Sequence, residues 1–590
     1  MEASTLNISG VIQNSTLLRI PYFQRRYVWE EKDWQIFAES MESTLDSDRY
    51  YFLGAIILKD EEITMEDKRK GIAKKHLVID GQQRLTTLSI YMKALHMLTS
   101  KQMDFENQYL QANGQHEPVI IHSCDDKAVF REIMHLSTAS TVTANSNIEA
   151  AYNYFLNYLK DAEKRGVSLY ELLNVVKASI TFVVISLKNE DDEQKIFDSI
   201  NSLGVPLTTD ELLKNFLYEA KDEDAYNNTW KKVFDIDESR TFWGTDGAAR
   251  RQSKGKNNRI VERFFHAFVR VKMWDFKDKL SETQRKGYVK MENVFTTCKD
   301  FVEKFGMDKQ ALAEEIIEYA KLFRANFDKE ILNERIPQHF GIKRLACYIL
   351  ATDAYVVLPY VLYILHNKDL DQAEKNEMFG YLETYLMRRT LCVNSNLNKD
   401  YNGLFADYMI GSRIDTLEKL KKYIEEKPSE SNLHMPKDSE VKQGVGGKAL
   451  DENTARIIYY MFETRLVSTS AGTFNDGFND YAAIQLMPVP KDGMYKNWPK
   501  HDDPEAEKER VTLIKTLGNY FILDSKIDNK ELKKVCYSPL ADKVALLKSF
   551  STNIRSSEAQ LKNIKNWAET EINFRNNGFA NKFNSEIWRI

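Results

Sequence analysis

The residues whose types and spacing point most directly to chemistry are the DGQQR of HLVIDGQQRLTTL, residues 80–84. The apolar run HLVID predicts a strand, Gly81 permits a tight turn, and a helix is predicted from about Gln82. The free N–H groups and positive dipole end of a helix N-terminus suit phosphate. Asp80 could hold a metal or orient water, and Arg84 could neutralise phosphate charge bidentately. Alternatively, this is an ordinary capped helix with Asp80 as N-cap and Arg84 in a surface ion pair.

A second segment combines charge with aromatic rings. RIPYFQRRYVW, residues 19–29, interleaves three arginines with two tyrosines, a phenylalanine and a tryptophan. Such a mixture can hold a nucleotide by stacking and charge. It can equally be an N-terminal segment whose aromatic side chains pack into the core.

The densest basic stretch is AARRQSKGKNNRIVER, residues 248–263, which carries six basic side chains against the single acid Glu262. It could contact the phosphate backbone of DNA, or it could be a solvated loop. The residues predicted to bind DNA are Arg250, Arg251, Lys254, Lys256 and Arg259. Upstream, KIFDSINSLGVPLTTDELLKNFLY predicts two helices joined at Asn201 and Gly204, a common pairing that gives no specific evidence of DNA reading.

The elements that position these residues predict an α+β, mainly helical protein. Strands are predicted for YFLGAIIL (51–58), HLVID (76–80) and SITFVVISL (179–187). QQRLTTLSIYMKALHML predicts a helix with one apolar face, and residues 226–425 read as mainly helical. The proline- and glycine-containing stretch at 425–450 is predicted to be a linker or surface loop, followed by a helix over ENTARIIYYMFETRL.

Composition narrows the class of protein. The 590 residues exceed one hydrophobic core, and 82 basic against 87 acidic residues give a formal charge of −5. Any DNA-binding surface must therefore be local. Five scattered cysteines predict neither a zinc site nor a disulfide framework. With no signal pattern, and with YVVLPYVLYIL too short to span a bilayer, we expect a cytoplasmic protein without a membrane partner.

Four motifs carry a family resemblance. In order, IPYFQRRYVW, YFLGAIIL, LVIDGQQRLTTL and IFDSINSLGVPLTTDELLKN closely resemble the N-terminal domain of the GmrSD-type family of modification-dependent (type IV) restriction proteins. The phosphorothioate-sensing SspE proteins share that layout. YLMRRTLCVNSNLNKDYNGLFADYM is similar to the helical middle region of the family. The four N-terminal motifs are specific together, although none would be specific alone.

The resemblance implies a ParB-like N-terminal domain that binds and hydrolyses a nucleoside triphosphate (NTP), with a divalent metal such as Mg²⁺. It implies catalytic roles for Asp80 at a metal or water, Gln83 in positioning and Arg84 at phosphate charge. The residues that it implies in nucleotide binding are Gln24, Arg25, Tyr27, Gly81, Gln82 and Asn201. The implied domains are ParB-like (1–225), helical (226–425) and HNH-nuclease-like (430–590).

The nuclease domain of the family is usually announced by a Tyr-x-Ile-Glu-His-Ile-x-Pro pattern, where this chain has YAAIQLMP. Gln485 stands at the position of the histidine base, and a neutral amide cannot take a proton from water near pH 7. LGNYFIL supplies Asn519, and Asp528 or Asn529 lies near the expected Asn. Gln485, Asn519 and Asp528 therefore predict a degenerate nuclease site. His501 could replace the base, or it could be a solvated loop histidine.

Three functions remain open from the sequence. The first is an anti-phage defence protein that binds and hydrolyses NTP and senses foreign or modified DNA. The second is an active type IV DNA endonuclease. The third is a non-catalytic, NTP-gated subunit that binds DNA or a separate nuclease subunit. In the simplest version of this third function, the nucleotide is only a structural ligand. A homo-oligomer is compatible with each of them.

Overall fold

The computed structural model describes residues 2–22, 24–46, 50–111, 116–122, 124–187, 208–218, 222–245, 259–392, 401–428, 431, 433–466, 476–488, 498–499, 501–524, 539–550 and 560–590. Backbone contacts divide the chain into two compact units, Met1–Asn228 and Thr229–Ile590. Helices predominate, and a mixed sheet accompanies them, so the α+β, mainly helical class is confirmed.

Unit 1 contains a six-stranded mixed sheet in the order β1-β6-β3-β4-β2-β5. The strands are β1 (Glu2–Asn7), β2 (Thr16–Arg19), β3 (Tyr51–Asp60), β4 (Lys74–Asp80), β5 (Ile120–Ile121) and β6 (Ile180–Leu187). β2 runs parallel to β4 and β5, and β3 runs parallel to β6, whereas β3 and β4 are antiparallel. The carboxyl end of β4 therefore lies beside Ile57, in the second half of β3.

Ten helices accompany the sheet among the described residues of unit 1. They are α1 (Ile8–Val11), α2 (Glu31–Glu42), α3 (Met65–Arg69), α4 (Gln82–Leu98), α5 (Gln102–Tyr109), α6 (Cys124–Met134), α7 (Asn147–Lys164), α8 (Leu169–Ser179), α9 (Thr209–Leu217) and α10 (Glu223–Asn228). A single 3₁₀ turn, Ser43–Asp46, follows α2.

Helix α4 is the centre of unit 1: its predicted apolar face is buried, and so are its other faces. From Leu85 to His96 every residue is buried, including the polar Thr86, Ser89 and Lys93. α5, α6, α7 and α8 all pack around it. Because the periodic Leu and Met positions are only part of a helix buried on all sides, the sequence pattern understated the burial.

Unit 2 is largely helical in its described part. Its helices are α11 (Asp237–Gly244), α12 (Ile260–Lys272), α13 (Glu282–Tyr288), α14 (Val294–Glu303), α15 (Lys309–Asn326), α16 (Ile342–Thr352), α17 (Leu358–His366), α18 (Gln372–Leu391), α19 (Tyr401–Gly411), α20 (Leu417–Glu425), α21 (Asp438–Gly447), α22 (Glu452–Leu466), α23 (Pro504–Ile514), α24 (Leu540–Ser549) and α25 (Glu569–Lys582). Short 3₁₀ or π turns occupy Lys231–Asp235, Met273–Lys279, Met291–Asn293, Lys329–Asn333, Tyr355–Val357, Phe478–Asp480, Leu517–Asn519 and Phe583–Ile587. Two antiparallel strands, β7 (Tyr481–Gln485) and β8 (Tyr520–Asp524), form the small sheet.

The stretch predicted to be a linker contains helix α21, so that prediction was wrong. Val441, Gly444 and Val445 are buried, and α21 packs against α18 and α25. A Cβ at Gly444 would overlap the backbone at Leu391, so glycine is required for this close approach. Gly444, one of the glycines that suggested a flexible loop, thus allows close helix packing.

The longest apolar run forms the turn Tyr355–Val357 and α17, with Pro359 in the first turn of the helix. Most of this helix is buried, as predicted. Of the helices that the structure describes, not one combines the length and the apolar character needed to cross a bilayer.

Candidate functional site

The DGQQR segment lies at the carboxyl end of β4, where Asp80 is the last strand residue and α4 begins at Gln82. Gly81 is the N-cap residue, with φ of 98°, and a Cβ there would overlap the Ile56 side chain. Since Gly81 has no side chain, no side-chain group caps the helix. The alternative in which Asp80 caps the helix was therefore wrong. The first-turn N–H groups of α4 are left without a side-chain cap.

Asp80 and Arg84 form an ion pair, with Oδ2 of Asp80 3.0 Å from Nη2 of Arg84. Both side chains are about one quarter exposed, at 29% and 26%. The Arg84 guanidinium lies against Gly54 of β3, where φ is 124° and a Cβ would overlap Nη1. Glycine in the YFLG motif thus makes room for the arginine of the DGQQR motif. A partly exposed pair of this kind adds little stability, about 0–1 kcal/mol, and remains open to a ligand.

The two glutamines hold the loop that follows β2. Nε2 of Gln82 donates to the carbonyl oxygen of Arg25 at 2.6 Å. Oε1 of Gln83 accepts from the backbone N–H of Val28 at 2.9 Å, and its Nε2 donates to the carbonyl of Arg26 at 3.1 Å. The Gln83 amide is thereby used at both ends. In this structure it positions the loop, and its predicted role at the substrate stays a prediction.

Other side chains of the RIPYFQRRYVW segment also form hydrogen bonds with residues of the sheet and of the core. Nε2 of Gln24 donates to the carbonyl of Ile79 at 3.0 Å. Tyr27 is 2% exposed, and its hydroxyl lies 2.7 Å from Oγ1 of Thr87 and accepts from Nε1 of Trp34 at 2.9 Å. Burial raises the pKa of Tyr27 above its usual range. Tyr27 is therefore a core residue that fixes the loop.

Arg25 differs from these neighbours. Its carbonyl holds Gln82, but its half-buried side chain makes no hydrogen bond or ion pair with any residue that the structure describes. It is the cation of the loop that is available to a ligand. Asn201 and Gly204, the remaining motif residues, lie outside the described residues.

A buried polar layer below the loop was missed from the sequence. Oδ2 of Asp126 accepts from the backbone N–H of Tyr27 at 2.6 Å. Nε2 of His122 lies 3.0 Å from Oγ1 of Thr86, which itself donates to the carbonyl of Gln82. Burial lowers the pKa of His122 to about 3, so this histidine is neutral. Only the contact across the fold distinguishes these residues, and no local spacing could have indicated them.

The assembled site suits a phosphorylated ligand better than a metal alone. It offers the uncapped N–H groups of α4, the partly exposed Arg84 and the available Arg25. Oε1 of Gln82 is buried and has no hydrogen-bond partner. Asp80 is held by Arg84, and no group of three or more His, Cys, Asp or Glu side chains in the described part of the chain is arranged for a metal. A Mg²⁺ ion here would depend on phosphate oxygens together with Asp80.

Of the residues predicted to bind DNA, Arg250, Arg251, Lys254 and Lys256 lie outside the described residues. Arg259 is exposed and precedes α12 as its N-cap residue. Its position leaves it accessible to a phosphate backbone, but the basic stretch as a DNA contact stays a prediction.

Two of the predicted nuclease positions, Asn519 and Gln485, form internal hydrogen bonds in unit 2. Asn519 is fully buried, and its Oδ1 accepts from the N–H of Met487 and from Nε1 of Trp567. Its Nδ2 donates to the carbonyls of Met487 and Ile514. All four hydrogen bonds of an amide are therefore made, and none remains for a substrate.

Gln485 is similarly engaged, since its Nε2 donates to the carbonyl of Ile514 and to the hydroxyl of Tyr520. Asp528 lies outside the described residues. Gln485 and Asn519 thus connect β7, β8 and α23, which is a packing function.

His501 is paired and is not simply solvated. Its Nε2 lies 2.9 Å from Oε1 of Glu569, which also accepts from Arg510. Burial acts to raise the pKa of Glu569, but these two hydrogen bonds lower it to about 2. The adjoining cleft of about 620 Å³ is lined by Asp502 and Glu507 as well as Lys508. That lining has no excess of positive charge to attract DNA.

The comparisons with known proteins bear on unit 1. Residues 8–218 match the family model described as "GmrSD restriction endonuclease, N-terminal domain". The matched range includes both the RIPYFQRRYVW and DGQQR segments. No curated protein matches the chain.

Proposed function

We propose that this chain is an NTP-binding and NTP-hydrolysing sensor of foreign or modified DNA in anti-phage restriction. The match of residues 8–218 to a restriction-endonuclease family supports the connection to restriction and to DNA. The chemistry of the Asp80–Arg84 site supports the nucleotide. The ParB-like and HNH-like assignments belong to the same proposal.

The single observation that carries the proposal is the placement of Asp80 and Arg84 beside the uncapped start of α4. Arginine donates to phosphate in a bidentate manner, and a helix N-terminus stabilises negative charge by about 0.3–1 kcal/mol at exposed sites. A bound phosphate would compete with Asp80 for Arg84. Asp80 would then be released to orient water or to hold Mg²⁺.

The loop gives the site a means of sensing its ligand. Gln82 and Gln83, in the first turn of α4, hold the backbone of the loop at Arg25 and Arg26. They thereby connect the available cation, Arg25, to the start of the helix. A nucleotide on α4 that also engages Arg25 would hold the loop in place. We infer that Gln82 and Gln83 couple the loop to the nucleotide, whereas Asp80 and Arg84 carry the chemistry.

A second function is favoured by one observation in unit 2. The hydrogen bonds of Asn519 are satisfied internally, and Gln485 stands where a histidine base is expected. Cleavage of DNA would therefore need catalytic groups other than these two residues. An NTP-gated subunit that works with a separate nuclease fits this better than an active type IV endonuclease.

Nucleotide binding tests the proposal first. Isothermal titration of the full chain with each of ATP, GTP, CTP and UTP in Mg²⁺ should show binding of at least one of them. Arg84→Ala should weaken that binding at least about ten-fold, the equivalent of one charge-assisted hydrogen bond. The matched control is Arg69→Ala, an exposed arginine of α3, which should bind like the wild type. Equal affinity in Arg84→Ala would place the nucleotide elsewhere.

A further inference from the structure

Arg389 in the last turn of α18 is a buried cation without a partner. It is 5% exposed, and its Nε is buried without a hydrogen bond. The guanidinium makes no hydrogen bond or ion pair with any residue that the structure describes. Burying a charge without compensation is costly. The negative end of the α18 dipole offsets only part of that cost.

The neighbouring arginine shows what compensation looks like in this fold. Arg388 is 1% exposed and donates to the carbonyls of Pro436 and Trp588, to Oδ1 of Asn584 and to Asp438 at 2.6 Å. The other buried arginines among the described residues are bonded as well; they are Arg344, Arg510 and Arg575. Arg389 is thus the exception within the described chain.

The surroundings of Arg389 add positive charge. Nζ of Lys448 donates to the carbonyls of Thr390 and Cys392, which are one and three residues beyond Arg389 in the chain. Burial lowers the pKa of Lys448, and the nearby Arg389 lowers it further. Lys448 thus brings a second positive charge to the end of α18. Gly446 and Gly447, which precede Lys448 in the chain, have open space where a side chain would be.

We propose that Arg389, assisted by Lys448, binds a phosphate oxyanion in unit 2, a site separate from the Asp80–Arg84 site of unit 1. A doubly charged phosphate supplies the bidentate acceptor that Arg389 lacks, and its negative charge offsets the positive charges of Arg389 and Lys448. The choice of phosphate over carboxylate rests on the proposed function, whereas the anion site itself does not. The phosphate comes either from a free nucleotide or from a DNA backbone.

Thermal unfolding of the full chain tests the site. The background is Arg84→Ala, so that phosphate at unit 1 does not contribute. Pyrophosphate, a short DNA duplex and succinate are each titrated at constant ionic strength. We expect pyrophosphate or the duplex to raise the Tm, and whichever does so identifies the source. In Arg84→Ala/Arg389→Met the apparent Kd should weaken at least about ten-fold. Arg389→Lys should retain part of the affinity.

Two controls separate binding from folding. Without added anion, Arg389→Met should unfold at the same or a higher Tm than its parent, because it removes an uncompensated charge, whereas Arg388→Met should unfold at a lower Tm. Arg589→Met, at an exposed arginine, should leave the anion effect unchanged. The proposal is overturned by a Tm that no phosphate compound raises, by an equal rise in Arg389→Met, or by a response to succinate alone.

Discussion

At the scale of single residues, two glycines decide whether the charged pair can form. Gly81 lets β4 turn directly into α4, and Gly54 leaves the space that the Arg84 guanidinium occupies. Both have φ values that side chains rarely adopt. The site thus depends on absent side chains as much as on Asp80 and Arg84.

Replacement of Gly54 should therefore harm both stability and binding. Gly54→Ala should lower the free energy of unfolding by about 1–3 kcal/mol through backbone strain, and the new Cβ should displace the flexible end of the Arg84 side chain. Urea unfolding measures this loss, and titration with the preferred nucleotide should show weaker binding. Gly71→Ala is the matched control, since its φ is also positive, at 76°, but its surroundings are open. Nucleotide binding weakened no more in Gly54→Ala than in Gly71→Ala would refute the role of Gly54.

The buried His122 should make stability depend on pH. Its pKa is lowered from 6.5 to about 3, so below pH 6.5 the unfolded chain binds a proton that the folded chain does not. The free energy of unfolding should then fall by about 1.4 kcal/mol per pH unit from this residue as the pH drops from 6.5 towards 3. Above pH 6.5 the contribution is constant.

Urea unfolding near pH 7 and near pH 5.5 tests this, with wild type compared with His122→Gln. The variant should lose about 1 kcal/mol less than the wild type between the two conditions. The exposed His135→Gln serves as a control and should behave like the wild type. An unchanged pH dependence in His122→Gln would show that His122 is not buried in this way.

At the scale of elements, the glutamines of the DGQQR motif fix the backbone of the RIPYFQRRYVW segment. The loop after β2 and the first turn of α4 are connected by side-chain amides rather than by a strand pair. Gln83→Ala should release the loop with a loss of about 1–3 kcal/mol, because two backbone groups lose their partners. Limited trypsin digestion should then cleave faster after Arg25 and Arg26. Gln35→Ala, on the exposed face of α2, should digest like the wild type, and unchanged cleavage in Gln83→Ala would count against the coupling.

The small sheet of unit 2 gives a second prediction at this scale. Asn519→Ala should lower the free energy of unfolding by about 2–4 kcal/mol, because it leaves buried donors and acceptors at Met487, Trp567 and Ile514 unsatisfied. Thermal unfolding measures this loss. Asn577→Ala, an exposed residue of α25, should have little effect. A stable Asn519→Ala would restore a case for a functional Asn519.

The sequence predicted those elements whose pattern is local. β3, β4 and β6 are apolar runs, and α22 has a strong helical pattern, so all four were predicted. β1 was missed because its polar residues are mostly exposed, and β2 and β5 are too short to stand out. The linker prediction failed because glycine marks flexibility and close packing alike.

The same limit applies to the site. Asp80 and Arg84 are one helical turn apart, so their pairing was accessible from spacing. Gln82 and Gln83 bond to residues more than 50 positions away in the chain. Asp126 and Tyr27, which bond to each other, are 99 positions apart. Contacts of this kind depend on the sheet order, which the sequence pattern does not contain.

At the scale of the whole molecule, the two units differ in the part that their polar motif residues take in the proposed function. Unit 1 holds the Asp80–Arg84 pair, and unit 2 holds Gln485 and Asn519, whose side chains make internal hydrogen bonds. On this account unit 1 consumes nucleotide, and cleavage of DNA requires something other than Gln485 and Asn519.

The most direct test of this account is phosphate release from each NTP, with and without DNA, by the wild type and by Arg84→Ala, while the same DNA is scored for nicks. We predict turnover by the wild type, loss of turnover in Arg84→Ala, and intact DNA in both reactions. Absence of turnover by the wild type under every condition, or equal turnover by Arg84→Ala, would contradict the account. Cleavage of the DNA by the purified chain would contradict the structural role assigned to Gln485 and Asn519.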